Sequence, residues 1–273
     1  MAMEAILMAR KTAQDLQRID QARGWYIAKS NELIQHSRYS LPITQQKMLL
    51  YLISKIKPQD SGEELYTFNI TDFCDAVGLD RSEGYYHNLK AQLKALADSS
   101  VWIRMEDNKE HLFRWIEDPV IDPGSGTVEI QFKKIVRPYL FDLKARYTQY
   151  KFIEVARLKS KYAIRLFELL RSYTTQEKLS NGQEVDQPFT VDELKLRMDA
   201  TETYKRYFDF KKRVLIPAVD EINACSDTMH IDFEEHRRGN AIKAIIFTIG
   251  APKALETLNA RSETRKRLDH MSY

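Results

Sequence analysis

Apolar residues in the first half of the chain follow a helix–helix–strand order. An apolar run at residues 68–73 leads from a strand pattern into a short helix. Leu89 and Leu93 then recur at helical spacing, which predicts a long helix over residues 85–97. Alternating apolar residues at 101–104 predict a strand directly after that helix.

The same order recurs in the second half of the chain. Residues 189–194 repeat the strand-to-helix run, with the spacing of a capping box at the helix start. A long helix over residues 204–224 follows, in which Pro217 removes one backbone hydrogen bond and predicts a bend. Ile231 in the next strand is matched with Ile103 of the first copy. The recurrence predicts an internal repeat with one short insertion.

Further extended segments follow the long helix in both copies. In the first copy they cover residues 101–105, 111–117 and 127–132. In the second they form a hairpin with strands at 231–235 and 241–249. Helices followed by a β-hairpin are the order of a winged helix, a helix-turn-helix variant. We therefore predict an α+β fold of two tandem winged-helix domains that are related as an internal repeat.

The patterns predict five segments along the chain. These are an N-terminal arm or helix at 1–24, winged-helix domain 1 at 25–140, a helical connector at 141–158, winged-helix domain 2 at 159–250, and a basic helical or disordered tail at 251–273. No Gly- or Ser-rich linker separates the two halves, so we expect a stiff connection.

Composition narrows the function classes. The chain has 273 residues and a formal net charge of +3, so a role with nucleic acid depends on where the charges cluster. Cys74 and Cys225 lie in different copies, which argues against a disulfide framework and suits a reducing compartment. Without a signal-peptide pattern or a long apolar run, we predict a cytoplasmic protein with no membrane partner.

A basic cluster lies in the second long helix. At about 100° per residue, the cations fall opposite the apolar arc of that helix. They are Lys205, Arg206, Lys212 and Arg213. The predicted wing adds Arg237, Arg238 and Lys243 in and beside its tip. Such a run is most often a solvated face, but in the third helix of a winged-helix pattern it favours phosphate and base contacts in DNA.

The equivalent helix of the first copy carries less charge. Its outward face offers His87, Asn88 and Lys94 as candidate DNA contacts. Asn can read adenine, although a capping or solvated role is commoner. We therefore expect the first copy to bind DNA more weakly, or to serve partly in assembly.

Catalytic patterns are missing from the sequence. No phosphate-binding Gly-rich loop is present, and the six histidines include no pair at metal-ligand spacing. We predict no enzymatic activity, no metal and no cofactor. The missing His pair also disfavours a metal-dependent nicking initiator, in which a tyrosine would be the nucleophile.

Three stretches of the sequence resemble the iteron-binding plasmid replication initiators of the Rep/RepB type. The first comprises residues 29–34 (KSNELI) with 41–50 (LPITQQKMLL), similar to the opening of that family. The second, residues 160–170 (SKYAIRLFELL), is similar to the start of its second winged helix. The third is residues 210–215 (FKKRVL) with the following Pro-Ala and Glu-Ile-Asn, similar to its recognition helix. The resemblance covers roughly residues 25–250.

This resemblance implies a theta-type initiator that binds directly repeated double-stranded DNA at a plasmid origin. It implies a monomer–dimer equilibrium, in which monomers open the origin and dimers repress their own promoter. Host replication helicase or initiator proteins are the implied partners. On matching positions it implicates the four cations of the recognition helix together with Arg237 and Arg238, and in the first copy only the region 85–94.

Other function classes stay open from the residues alone. A winged-helix transcriptional regulator without initiator activity would use the same modules at a single operator. A nicking enzyme and a protein-interaction scaffold with an incidental basic patch are further alternatives.

Overall fold

The chain divides into two compact units, with the boundary between Ile164 and Arg165 along the sequence. The computed structural model describes residue 21 and residues 24–79, 83–104, 109–239 and 241–252. The predicted N-terminal arm and the predicted tail lie almost wholly outside these residues and stay predictions. Within the described ranges, no helix is long and apolar enough to cross a membrane.

The first unit combines short helices with three small antiparallel sheets. Its elements are β1 (Tyr26–Ser30), α1 (Asn31–His36), β2 (Ser37–Arg38), α2 (Ile43–Ile53), β3 (Tyr66–Asn69), α3 (Ile70–Val77), α4 (Glu83–Asp98), β4 (Ser100–Arg104), β5 (Glu110–Arg114), β6 (Ile116–Asp122), β7 (Thr127–Phe132), a 3-10 turn (Lys134–Val136), α5 (Arg137–Leu140), β8 (Tyr147–Lys151) and α6 (Phe152–Ala156). The sheets have the strand orders β1-β8, β2-β4-β5 and β3-β7-β6.

Side-chain caps fix where the helices of this unit begin. Ser30 accepts a hydrogen bond from the Leu33 amide at 3.1 Å and so caps the start of α1. Asn69 caps α3 by accepting from the Thr71 amide at 2.9 Å. Helix α3 ends at Gly78, whose φ of +73° is the left-handed conformation that glycine adopts without steric cost.

The core of the first unit contains an aromatic cluster around Tyr51. Its ring lies edge-on to Phe68, Phe73 and Phe152, with centroids 5.7, 5.4 and 5.6 Å away. Edge-to-face geometry at this distance is the favoured arrangement of aromatic pairs. Because Tyr51 lies on α2 and the other three rings come from β3, α3 and α6, the cluster joins four elements of the first unit.

The second unit also has a strand, a helix pair and a hairpin in that order, with fewer elements in total. They are α7 (Lys161–Arg171, which crosses the boundary of the units), α8 (Gln176–Ser180), β9 (Val185–Thr190), α9 (Val191–Arg197), α10 (Tyr207–Phe210), a π turn (Lys211–Leu215), α11 (Ile216–Cys225), β10 (His230–Arg238) and β11 (Ala241–Gly250). The strands pair antiparallel in the order β10-β11-β9. Phe189 and Phe247 pack edge-on at 6.0 Å between this sheet and the helices.

Sheet register shows which strands correspond in the two copies. In both units the strand before the helix pair bonds to the second strand of a hairpin, with Phe68 opposite Val128 and Phe189 opposite Ile245. The hairpin β6–β7 is therefore the counterpart of β10–β11, and we call these wing 1 and wing 2. The match of Ile103 with Ile231 is wrong, because β4 pairs with β2 and β5 in a separate sheet. The hairpin β4–β5 is an addition to the first copy.

The segment 141–158, expected as a helical connector, contains strand β8 before α6. β8 pairs with β1, with Ile27 opposite Tyr150. Thr148 and Tyr150 are buried while their neighbours along the strand are exposed, which is the period of two that a strand requires. This segment therefore completes a sheet of the first unit.

Candidate nucleic-acid interface

The helix predicted to carry the basic cluster starts later than expected, at Tyr207. α10, the π turn and α11 follow one another without a break, and we call residues 207–225 the recognition helix. Arg206 is its N-cap, with the extended angles φ −83° and ψ 136°. The buried Lys195 donates from Nζ to the Lys205 carbonyl at 2.8 Å and holds the chain in this approach. Lys205 and Arg206 thus precede the helix instead of lying on it.

The π turn stands directly before Pro217. The Ile216 amide donates to the Lys211 carbonyl, five residues back, which is the π pattern. Pro217 has no amide hydrogen, and its ring would crowd the Arg213 carbonyl in a regular α-helix. The helix therefore accommodates Pro217 by a wider turn directly before it.

The predicted cations surround the outer side of the helix start. Lys205, Arg206, Lys212 and Arg213 are all exposed. Arg206 has 80 % of its side chain exposed, and its Nε lies 3.9 Å from an Asp209 carboxylate oxygen. The N-terminus of a helix carries partial positive charge from its unpaired amides, which adds to the field of these cations. Together they form an anion-attracting surface.

Glu235 joins the recognition helix to wing 2. Its Oε1 accepts from the Tyr207 hydroxyl at 2.7 Å and lies 2.6 Å from Lys211 Nζ. Hydrogen bonds from Lys211 and then Tyr207 lower the pKa of the Glu235 carboxyl. Burial and the hydrogen bond to Glu235 raise the pKa of the Tyr207 hydroxyl. Lys211 is therefore a structural cation between helix and wing.

A second contact joins the far end of the recognition helix to the same wing. The Asn223 side chain donates to the Ile231 carbonyl and accepts from the Ile231 amide, both at 2.8 Å. The Asn223 side chain thus makes the two backbone hydrogen bonds with Ile231 that a neighbouring strand would otherwise make. With Glu235 near the other end, the wing is tied to the helix at two levels.

The predicted wing cations lie around the hairpin tip. Arg237 is on the strand face of Glu235, 70 % of its side chain is exposed, and its Nη2 is 3.9 Å from Glu235 Oε2. Lys243 is exposed and is the extra residue of a β-bulge, since His236 faces Ala244 and Arg237 faces Ile242. The backbone of Arg238 pairs with Ala241, while its side chain lies outside the described part of the chain.

The first unit presents its candidate contacts on α4. His87, Asn88 and Lys94 are all exposed there, as the helical pattern predicts. Asn88 Oδ1 accepts from Gln92 Nε2 at 3.4 Å, within the same helix. Three of the predicted residues are thus together on one surface, but only Lys94 among them carries a fixed positive charge.

Wing 1 differs from wing 2 in charge and in attachment. Its exposed side chains include Asp122 and Glu129, both acidic. Its turn is held to the start of α3, because Asn69 Nδ2 donates to the Ser125 carbonyl at 2.9 Å and the Ile70 amide to the Gly126 carbonyl at 3.0 Å. Hydrogen bonds from Ser125 and Gly124 lower the pKa of Asp122 and keep it ionised. Two exposed carboxylates make wing 1 electrostatically unfavourable for a phosphate contact.

Two features of the site escape the sequence pattern. The contact of Tyr207 and Lys211 with Glu235 joins residues far apart in the chain, and no local signal marks it. Phe208 is exposed on the recognition helix, although its residue type suggests the core. The sequence signal for this exposure is the four-residue spacing of Phe208, Lys212 and Ile216. That spacing follows one side of the helix only because of the π turn, which the sequence does not reveal. In the described ranges, no group of His, Cys, Asp and Glu is placed to hold a metal ion.

Comparisons with known proteins give the same architecture. The family model described as Initiator Replication protein, WH1 matches residues 26–171. The model described as Initiator Rep protein, WH2 matches residues 190–249. The predicted fold of two winged-helix domains is confirmed.

Individual relatives have low sequence identity to this chain but match most of its length. The chain is 24 % identical over 235 residues to a replication initiation protein of Escherichia coli, covering 84 % of this chain and 71 % of the relative. It is 25 % identical over 256 residues to the PI protein of Escherichia coli, covering 81 % of each. The crystal structure of Pi initiator protein in complex with iteron DNA matches with a TM-score of 0.69 at 22 % identity, over 85 % of this chain and 99 % of that chain.

The family is one of replication initiators, which agrees with the prediction of a protein that acts without catalysis and does not favour a regulator lacking initiator activity. Since the two models together match well over half of the sequence, the chain belongs to the initiator replication protein family with winged-helix domains WH1 and WH2.

Proposed function

We propose that this chain initiates theta-type plasmid replication by binding directly repeated double-stranded DNA at the origin. The observation that carries the proposal is the exposed basic surface at the start of the recognition helix, beside a wing with a basic tip. A similar solved fold, that of the Pi initiator, is in complex with iteron DNA. Binding energy and DNA bending would open the origin, with no nucleotide hydrolysis.

The two kinds of cation suit different contacts. Arg206 and Arg213 can bridge guanine O6 and N7, whereas Lys205 and Lys212 act as point charges for phosphates. Arg237, Arg238 and Lys243 give the wing a charge that suits an adjacent minor groove. In the first unit His87, Asn88 and Lys94 would add weaker contacts. We further propose that both winged-helix domains, expected from the sequence at residues 25–140 and 159–250, face the DNA.

Binding to DNA from the region around the gene tests this proposal. Short direct repeats there should be footprinted by the purified chain, and fluorescence anisotropy should give their affinity. If about 6 phosphates are contacted, the log–log plot of affinity against salt should have a slope near about −5. Arg213→Ala should weaken repeat binding, whereas Lys178→Ala, a similarly exposed cation on α8, should not.

Three outcomes would contradict the proposal. They are no preference for repeats over unrelated DNA, equal effects of the Arg213 and Lys178 variants, and salt-independent binding.

A plasmid carrying only the repeats, supplied with the chain in trans in a bacterial host, should replicate. Repression of a promoter without replication would instead indicate the regulator. Nicking of supercoiled origin DNA in the presence of a divalent metal would indicate an enzyme.

We also propose that two copies of the chain pair, as a repressing dimer requires. Support comes from the added hairpin β4–β5 of the first unit, where Trp102 lies opposite Leu112 and both side chains are about half exposed, at 43 and 51 %. β5 is the outer strand of the order β2-β4-β5, and an outer strand with apolar side chains favours pairing. Trp102→Ser should raise the monomer fraction in sedimentation experiments, and an unchanged fraction would exclude this surface.

The remaining partners follow from the family resemblance. We propose that origin-bound monomers recruit the host replication helicase or its initiator proteins in the bacterial cytoplasm. Loading of purified helicase onto a repeat-bearing supercoiled template should depend on the chain. Loading that proceeds equally without it would contradict this step and leave the DNA-binding proposal unaffected.

A further inference from the structure

The recognition helix has two opposite lines of side chains, each with a step of four residues. The buried line consists of Phe210, Val214, Ala218 and Ile222, all at most 1 % exposed. The line displaced by two residues consists of Phe208, Lys212, Ile216 and Asp220, all exposed. The first line packs on the sheet, so the second points away from the core of the second unit.

The π turn keeps this exposed line straight. In a regular α-helix, residues eight apart are rotated by about 80°, because each residue turns the helix by about 100°. The π turn takes up roughly one extra residue, so Phe208 and Ile216 lie like residues seven apart, two turns along one side. The helix therefore presents two apolar side chains on one line, with Lys212 between them.

Neither apolar side chain is needed by the core. Phe208 is 61 % exposed and Ile216 is 38 % exposed. Single exposed hydrophobic residues are common and need no explanation. Here the two share a face with the cations Lys212 and Arg213, so the apolar side chains lie within the positive charge that attracts DNA.

We propose that Phe208 and Ile216 read thymine in the repeats by contact with its 5-methyl group. The inference rests on the proposed function, because it assumes that this face enters the major groove. The thymine methyl is the apolar group that bases display there, and an apolar side chain distinguishes it from the other bases. Asp220 ends the line with a carboxylate, so the apolar contacts fall on the part of the helix from Phe208 to Ile216.

Replacement of thymine by uracil in the DNA isolates the proposed contact. Uracil keeps the hydrogen-bonding groups and lacks only the methyl. Duplexes containing the footprinted repeat are made with uracil at one thymine position at a time, and the dissociation constant is measured for each. Loss of one buried methyl should weaken binding about fourfold, the equivalent of about 0.8 kcal/mol.

Variants identify which side chain makes each contact. Phe208→Ala should bind the thymine duplex less tightly and lose the preference for thymine over uracil at one position, and Ile216→Ala should do the same at another. Ile135→Ala, a matched exposed residue on the 3-10 turn of the first unit, should keep every preference. Because Phe208 and Ile216 are exposed, both variants should melt within a few degrees of the unaltered chain.

The outcomes separate this inference from the proposed function. If the chain binds repeats in a salt-dependent way and uracil has no effect at any position, thymine reading is overturned while the proposed function stands. If Phe208→Ala and Ile216→Ala weaken both duplexes equally or change the oligomeric state, the side chains serve another contact and the inference is again overturned. If repeats are not preferred at all, the proposed function fails first.

Discussion

Wing 1 and wing 2 have the same place in their sheets and tips of different charge. In each, the second hairpin strand pairs with the strand that enters the helix pair. Wing 1 exposes carboxylates, and its turn is bonded to the start of α3. Wing 2 exposes Arg237 and Lys243 at its tip and is bonded to the recognition helix by Glu235 and Asn223. The two copies share the plan of their packing and differ in the charge of their surfaces.

The largest effects should come from packing and should be alike in the two copies. Phe210→Ala in the recognition helix and Leu93→Ala in α4 both truncate a side chain that is at most 1 % exposed. Each should cost about 2–5 kcal/mol of unfolding free energy through lost burial and the cavity left behind. Urea unfolding followed by circular dichroism measures both. A large cost in one copy alone would break the view that their packing is equivalent.

The next effects should come from charge and should differ between the copies. Arg213→Ala should cost about 1–3 kcal/mol of binding free energy to repeat DNA if the guanidinium contacts a base. Lys94→Ala in α4, also exposed, should cost less and should change the salt slope by no more than one phosphate contact. Anisotropy titrations at several salt concentrations compare the two. Equal losses would mean that both copies bind DNA alike.

Smaller effects should distinguish how the wings are attached. Asn69→Ala and Thr190→Ala each remove a helix N-cap, at a cost of about 1 kcal/mol of stability. Asn69 also bonds to the Ser125 carbonyl in the turn of wing 1, so its loss should increase hydrogen exchange there. Thr190→Ala should leave exchange at the tip of wing 2 unchanged. A free turn in both variants would remove the difference in attachment.

The smallest effect should be a pH dependence of the second unit. The pKa of Glu235 is lowered below the ordinary value of 4.5, so its ionised form stabilises the folded state above that pH. This contribution should disappear as the pH falls below 4.5 and through the lowered pKa. The difference in melting temperature between the unaltered chain and Glu235→Gln should therefore shrink between pH 6 and pH 3. A difference that does not vary with pH would exclude the ionic contact.

Local signals predicted much of this molecule. The Ser30 cap, the Thr190 cap and the buried step Phe210–Val214 all follow from short-range spacing. Of the capping box, Thr190 accepts from the Glu193 amide at 3.2 Å, while the Glu193 carboxylate is bound by Arg197 at 2.6 Å. Spacing predicts which residues come close, and the choice among available donors depends on the fold.

Strand partners and helix irregularities could not be predicted in the same way. The alternation at residues 100–104 is that of any half-buried strand, and pairing with β2 instead of β3 is set by contacts distant in sequence. A period of 3.6 also assigned Arg206 to the helix, although the chain there is held extended by Lys195. The cationic surface was predictable as a set of residues; its link through Glu235 was not.

The π turn also affects how the length of this chain can change. A widened turn holds one residue more than a regular helix needs, so removing one residue from 211–215 and replacing Pro217 would together let the helix close as a regular α-helix. Phe210 on one side and Ala218 on the other would keep their places in the core, because spacings of seven and eight both return to that side. Homologues could therefore gain or lose a residue here, and with it a DNA contact, without remodelling the domain that carries it.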